Sequence, residues 1–114
     1  MLETFEVEDP STGTVLTTTG RTALTYTGYM NGESFQQDGI LTFNGWQYSA
    51  FWDQGGYVNI SRRSLPGGAW QNLRLTDYVT TSTDSHNTIS LGISGQDGSI
   101  HLAFDMHSSV LRYR

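Results

Sequence analysis

Residues 50–58 and 103–111 are two versions of one segment. Ala50-Phe51-Trp52-Asp53-Gln54-Gly55-Gly56-Tyr57-Val58 aligns without a gap on Ala103-Phe104-Asp105-Met106-His107-Ser108-Ser109-Val110-Leu111 at an offset of 53. Upstream, Gln37-Asp38-Gly39-Ile40 aligns on His86-Asn87-Thr88-Ile89 at an offset of 49. The difference falls in one turn, where Asn44-Gly45 becomes the longer Ser94-Gly95-Gln96-Asp97-Gly98. A period near 50 residues with turn length as the variable is the pattern of β-propeller blades, and it restricts the chain to a stack of similar sheets.

The local signals agree with that repeat. From Thr22 onward, short runs of β-branched and aromatic residues are bounded by Gly and Asn, as in consecutive antiparallel strands. Residues 38–43 read as a first strand, Asn44-Gly45 as a two-residue hairpin turn and Trp46–Trp52 as a second strand. Gln54-Gly55-Gly56 turns the chain into Tyr57–Arg62, and Pro66-Gly67-Gly68 turns it into Trp70–Leu75, which completes a four-stranded meander. The second unit repeats the order over Thr88–Ile93, Ile100–Asp105 and Val110–Arg114, without a fourth strand. No stretch carries apolar residues at helical spacing over ten or more positions, so an all-β fold is predicted. The expected division is a loosely ordered arm with one short strand over residues 1–20, then a partial propeller over 21–114. Blade one covers about 36–75 and an incomplete blade two about 85–114. Closed propellers typically have roughly four to eight blades. The chain therefore reads as a fragment of a larger one, with a small self-contained sandwich as the alternative.

Composition removes several functions. Only 15% of the 114 residues are charged, the net charge is -5, and all six basic residues are arginine. A phosphate-binding surface needs clustered positive charge, so nucleic acid is not an expected partner. There is no run of 18 apolar residues and hence no membrane span of the helical kind. Absent cysteine excludes disulfides and thiolate metal sites. The start, Met1-Leu-Glu-Thr-Phe-Glu-Val-Glu, lacks the basic and apolar regions of a secretory signal, which leaves localisation undetermined.

All three histidines, His86, His101 and His107, fall within 22 residues of the second unit. In a four-stranded blade, the start of the innermost strand and the turn from the second strand to the third lie on one rim. Those positions are Gln36–Asp38 and Asp53–Gln54 in the first unit, and Ser85–Asn87 and Asp105–His107 in the second. Each rim histidine thus stands where the sister unit has a glutamine, His86 opposite Gln37 and His107 opposite Gln54. His101 lies inside a strand and reads as a supporting side chain. The histidine spacings of 15 and 6 match no common zinc pattern and no nearby Glu supplies a general base, so neither a metal nor a cofactor is expected here, with a structural calcium or zinc elsewhere in a full propeller left open. Arg62, Arg63, Arg112 and Arg114 occupy equivalent third-strand positions suited to carboxylates between blades. The aromatics Trp46, Tyr48, Phe51, Trp52 and Trp70 read as core.

Several of these segments resemble the N-terminal blades of the BNR-repeat propellers, among them the seven-bladed polysaccharide lyases acting on ulvan and on rhamnose-capped glucuronate. The resemblance spans roughly residues 26–114. It rests on Tyr29–Asp38, on Thr42-Phe43-Asn44-Gly45-Trp46-Gln47-Tyr48, on Arg62-Arg63-Ser64-Leu65-Pro66, and on Ser85-His86-Asn87-Thr88-Ile89 through His101-Leu102-Ala103-Phe104-Asp105-Met106-His107. Its most specific element is His86-Asn87 followed 21 residues later by His107. Relatives often carry Asp-His-His where this chain has Asp105-Met106-His107, and the Asp-box of sialidases is not intact around Ser64–Trp70.

The resemblance implies a secreted enzyme that cleaves uronic-acid glycans by β-elimination. His86 and His107 would be its catalytic histidines, with Gln37, Asn87 and His101 binding substrate. Histidine suits proton transfer because its unperturbed pKa is about 6.5. In similar enzymes a tyrosine and an arginine from later blades complete the site, so the isolated chain is expected to be nearly inactive. Its other partners would be the remaining blades or further copies of itself. The competing reading is a non-catalytic glycan-binding or assembly module. A sialidase-like hydrolase would need paired carboxylates, and Asp38, Asp53 and Asp105 are not convincingly paired.

Overall fold

The computed structural model describes residues 4–9, 14–19 and 40–114. Nine strands are present among them and no helix: β1 (Thr4–Asp9), β2 (Thr14–Thr19), β3 (Ile40–Phe43), β4 (Trp46–Trp52), β5 (Tyr57–Ser64), β6 (Gln71–Val79), β7 (Ile89–Ile93), β8 (Ile100–Phe104) and β9 (Arg112–Tyr113). Strands β3 to β6 form the expected antiparallel meander, and β7 to β9 form a three-stranded antiparallel sheet. The all-β prediction holds, in the arrangement of one blade beside a shorter second one.

The first hairpin shows how turn chemistry sets register. Asn44 and Gly45 both take positive φ, 46° and 78°, which matches the right-handed twist of the flanking strands. Phe43 consequently pairs with Trp46, and the register runs back through Leu41–Tyr48 to Ile40–Ser49. Alternation then puts Tyr48, Ala50 and Trp52 of β4 on one face, joined there by Val58 of β5 and Leu75 of β6. Ile89 and Leu91 of β7 and Leu102 and Phe104 of β8 pack against this face as a single core. Trp52 and Phe104 meet edge to face with ring centroids 5.8 Å apart. Burying a side chain of this size contributes about 2–3 kcal/mol, so these few residues account for most of the adhesion between the sheets.

Stacked sheets explain why repeat partners differ in burial. Val58 is 1% exposed because the second sheet covers it, whereas its repeat partner Leu111, which precedes β9, is 54% exposed. The same logic separates the buried Ile89 from its exposed counterpart Ile40.

Two expectations need correction. The first is the arm with one short strand: β1 and β2 are two strands paired antiparallel from Thr4–Thr19 to Asp9–Thr14, and β1 continues the first sheet by running parallel to β6. The physical reason is that β6 is otherwise an edge strand with unpaired backbone groups, which β1 satisfies. The second concerns the arginines. Of these four arginines, Arg114 alone reaches a carboxylate among the described residues, that of Asp77 in the first sheet. Arg62, Arg63 and Arg112 instead lie over the rings of Trp46, Trp70 and Tyr78. Arg62 and Arg63 also donate to Gln71 and Gln47.

The opposite face of the first sheet holds a polar ladder that pattern reading did not foresee. Ser61 donates to Asn72, Asn72 to Asn59 and Asn59 to Asp53, at 2.7, 2.8 and 3.0 Å. Arg74 closes the chain on Asp53 at 2.5 Å. Asn59, Ser61 and Asn72 are all buried, and each has a partner, as buried polar groups require.

Candidate functional site

The segment between β6 and β7 meets the turn after β8 at one rim of the second sheet. Two side-chain layers join them. In the buried layer, Asn87 donates its side-chain amide to Asp105 Oδ1 while Tyr78 donates its hydroxyl to Asp105 Oδ2. Asn87 Oδ1 accepts the backbone N–H of His107 at 3.3 Å, and the Asn87 carbonyl accepts the indole N–H of Trp52 at 2.8 Å. Asp105 itself sits at φ 53°, a left-handed conformation that Asp tolerates better than most residues. Burial and the hydrogen bond to Asp105 push the Tyr78 hydroxyl above its usual pKa, so it stays a donor.

Above this layer lie three exposed side chains. Asp84 Oδ1 contacts His86 Nδ1 at 2.6 Å, and Asp84 Oδ2 contacts His107 Nδ1 at 2.7 Å. The imidazole rings are 4.6 Å apart, tilted by 44°. The backbone N–H of His86 also donates to Asp84 Oδ1 at 2.9 Å, a local turn that aims the carboxylate back at its own neighbour. That backbone bond, followed by the His107 and His86 rings, holds the Asp84 carboxyl well below the ordinary carboxylate range. With Nδ1 of each ring on the Asp84 carboxylate, Nε2 is the ring nitrogen that Asp84 does not engage.

The structure therefore brings His86 and His107 together and separates His101 from them. His101 lies in β8 opposite Gly92, with its ring nitrogens on Ser99 and Tyr113 at 2.8 and 2.5 Å. Asn87 is 4% exposed, and its amide is engaged at both ends. It supports the rim from below, beneath the exposed side chains of Asp84, His86 and His107. Gln37 lies outside the described residues. Gln54, the repeat partner of His107, is exposed in the turn after β4.

Asp84 and Tyr78 are the members that sequence reasoning missed; Asp105 was placed on the rim, but not as the acceptor for Asn87 and Tyr78. The signal available for Asp84 was the Asp84-Ser85-His86 spacing, since an aspartate two residues before a histidine can fold back on its N–H. The repeat comparison hid Asp84 because it compared only the strand start and the turn. Tyr78 and Asp105 are linked only through tertiary packing, and a single sequence carries no mark of that contact.

Comparison with known sequences fits the repeat. The sequence model of the BNR repeat-containing family matches residues 46–114. The chain belongs to that family. The match begins at β4 of the first blade and runs through the second, so the BNR-repeat region includes Asp84, His86 and His107. No curated protein matches the chain.

Proposed function

We propose that this BNR-repeat chain supplies the histidine pair of a polysaccharide lyase acting on uronic-acid glycans of the ulvan or rhamnosyl-glucuronate kind. The observation that carries this reading is the convergence of His86 and His107 on Asp84 at a single exposed rim. In β-elimination a base removes the C5 proton, the C4–O4 bond breaks, C4 and C5 become doubly bonded, and an acid protonates the departing O4. A neutral ring whose Nδ1–H donates to Asp84 presents a basic Nε2. A ring carrying a proton on both nitrogens presents an acidic Nε2–H. His86 is assigned the acid or base role and His107 the base or positioning role.

A second reading, a non-catalytic glycan-binding or assembly module, draws on a specific feature. No arginine is among the described contacts of Asp84, His86 or His107, and the C5 proton becomes acidic only when a cation neutralises the uronate carboxylate.

Uronate oligosaccharides separate the two. The lyase reading expects slow accumulation of the ultraviolet absorbance of unsaturated uronate, reduced at least about 100-fold by His86→Ala or His107→Ala, the size of a lost acid or base. Saturable binding that shifts the ring resonances of His86 and His107 with no accumulation selects the binding module. Failure of any uronate glycan to bind overturns both.

A further inference from the structure

The histidine spacings argue against zinc only while His101 is counted as the third ligand. The structure replaces His101 with Asp84, and the ligand set becomes two imidazoles and one carboxylate. One ligand atom from each of Asp84, His86 and His107 can be chosen so that all lie within 4.8 Å of one another. We infer that this trio is a binding site for a borderline divalent cation, zinc above all, held by His86 Nδ1, His107 Nδ1 and an Asp84 oxygen.

Three observations converge on it. The first is donor chemistry: imidazole nitrogen with one carboxylate suits zinc, whereas magnesium and calcium take oxygen ligands. The second is geometry. Zinc bonds of about 2.0–2.2 Å in a tetrahedron put neighbouring ligand atoms roughly 3.3 Å apart. The Nδ1 atoms lie 2.6 and 2.7 Å from the two Asp84 oxygens, and ligand atoms of the three residues all fall within 4.8 Å, so small side-chain rotations that widen the carboxylate contacts and set the ring nitrogens roughly 3.3 Å apart admit the ion. All three side chains are exposed and free to make that adjustment. The third is preorganisation from below. The His86 N–H fixes Asp84, and the buried Asn87 ties the backbone of His107 to the segment that carries His86. Both ligand-bearing loops are therefore held before any ion arrives. Three protein ligands leave the fourth position to water or to a ligand oxygen.

Zinc at Nδ1 displaces the proton that each ring donates to Asp84, so the bound ion and the acid–base pair exclude one another. The metal site nevertheless stands without the lyase reading, and its test needs no glycan. Titrating the metal-free 114-residue chain with zinc chloride in a calorimeter should show uptake of one ion per chain with release of protons. His86→Ala, His107→Ala and Asp84→Asn should each weaken uptake at least about tenfold, the loss that follows even removal of an outer-shell partner. His101→Ala should leave it unchanged. Cobalt offered in place of zinc should give the visible absorption of a tetrahedral site in the wild type and lose it in the same three variants. Asp84→Asn keeps the side-chain shape, which guards against a folding artefact. No uptake by the wild type, or uptake that survives the His86→Ala/His107→Ala double variant or falls with His101→Ala, overturns the proposal.

Discussion

Trp52, wholly buried in the first sheet, donates its indole N–H to the backbone carbonyl of Asn87, 2.8 Å away at the rim of the second. The core of one blade thereby holds the segment on which the site of the next is built. Trp52→Phe keeps most of the apolar contact but strands that carbonyl, and an unsatisfied buried acceptor costs about 1–3 kcal/mol. Urea unfolding should show a loss in that range. Amide exchange should rise at His86 and Asn87 more than at Tyr48 or Ala50.

Asn87 carries a comparable load from the other side. Asn87→Ala leaves Asp105 buried without its amide donor and the His107 N–H without its acceptor, so a fall of about 2 kcal/mol or more is expected, because a buried charge that loses its partner costs more than a neutral group. Asn87→Asp should be worse, since it sets a second carboxylate against Asp105. Thermal unfolding of both variants beside the wild type tests the order.

Val58 and Leu111 test the stacking of the repeats. They are equivalent in sequence, yet one is sealed between sheets and the other faces outward. Val58→Ala should cost about 1–3 kcal/mol through lost burial and the cavity left behind, whereas Leu111→Ala should stay within about 0.5 kcal/mol. Equal losses at the two positions, measured by urea unfolding, would contradict the packing described.

Asp53 should leave a signature in acid. Burial raises its pKa, but hydrogen bonds from Asn59, the Tyr57 N–H and Arg74, with the charge of Arg74, outweigh burial and hold the carboxyl below its ordinary value. A folded-state pKa below the unfolded value of about 3.9 means that the ionised group stabilises the fold above that pH. The contribution is lost as pH falls through the depressed folded value. Asp53→Asn should thus be less stable than wild type near neutrality, with the gap closing below pH of about 4. A gap independent of pH in urea titrations would show that the ladder does not depend on the charge.

The parts legible in sequence are those set by short-range chemistry. Asn44-Gly45 dictates a turn of known twist, and the alternation around Trp46–Trp52 follows from it to the residue. The rim pairing of His86 with His107 was legible because a repeat converts sequence position into place on a blade. What stayed hidden depends on contacts between distant segments with no periodic trace. The parallel pairing of β1 with β6 is one case, and the closure of Tyr78 and Asn87 on Asp105 is another. Asp84 lies between these classes. Its turn onto the His86 N–H is local, but its reach to His107 spans two strands and their hairpin.

Asp84 joins His86 and His107 into one site through their Nδ1 atoms while His101 stands apart on Ser99 and Tyr113. Long-range proton–nitrogen NMR on metal-free protein above the titration range of histidine reads the tautomer of each ring directly. His86 and His107 should both carry the proton on Nδ1, and Asp84→Ala should shift both rings toward the Nε2–H form while leaving His101 unchanged. Nε2–H tautomers for His86 and His107 in the wild type, or rings indifferent to Asp84→Ala, would contradict it.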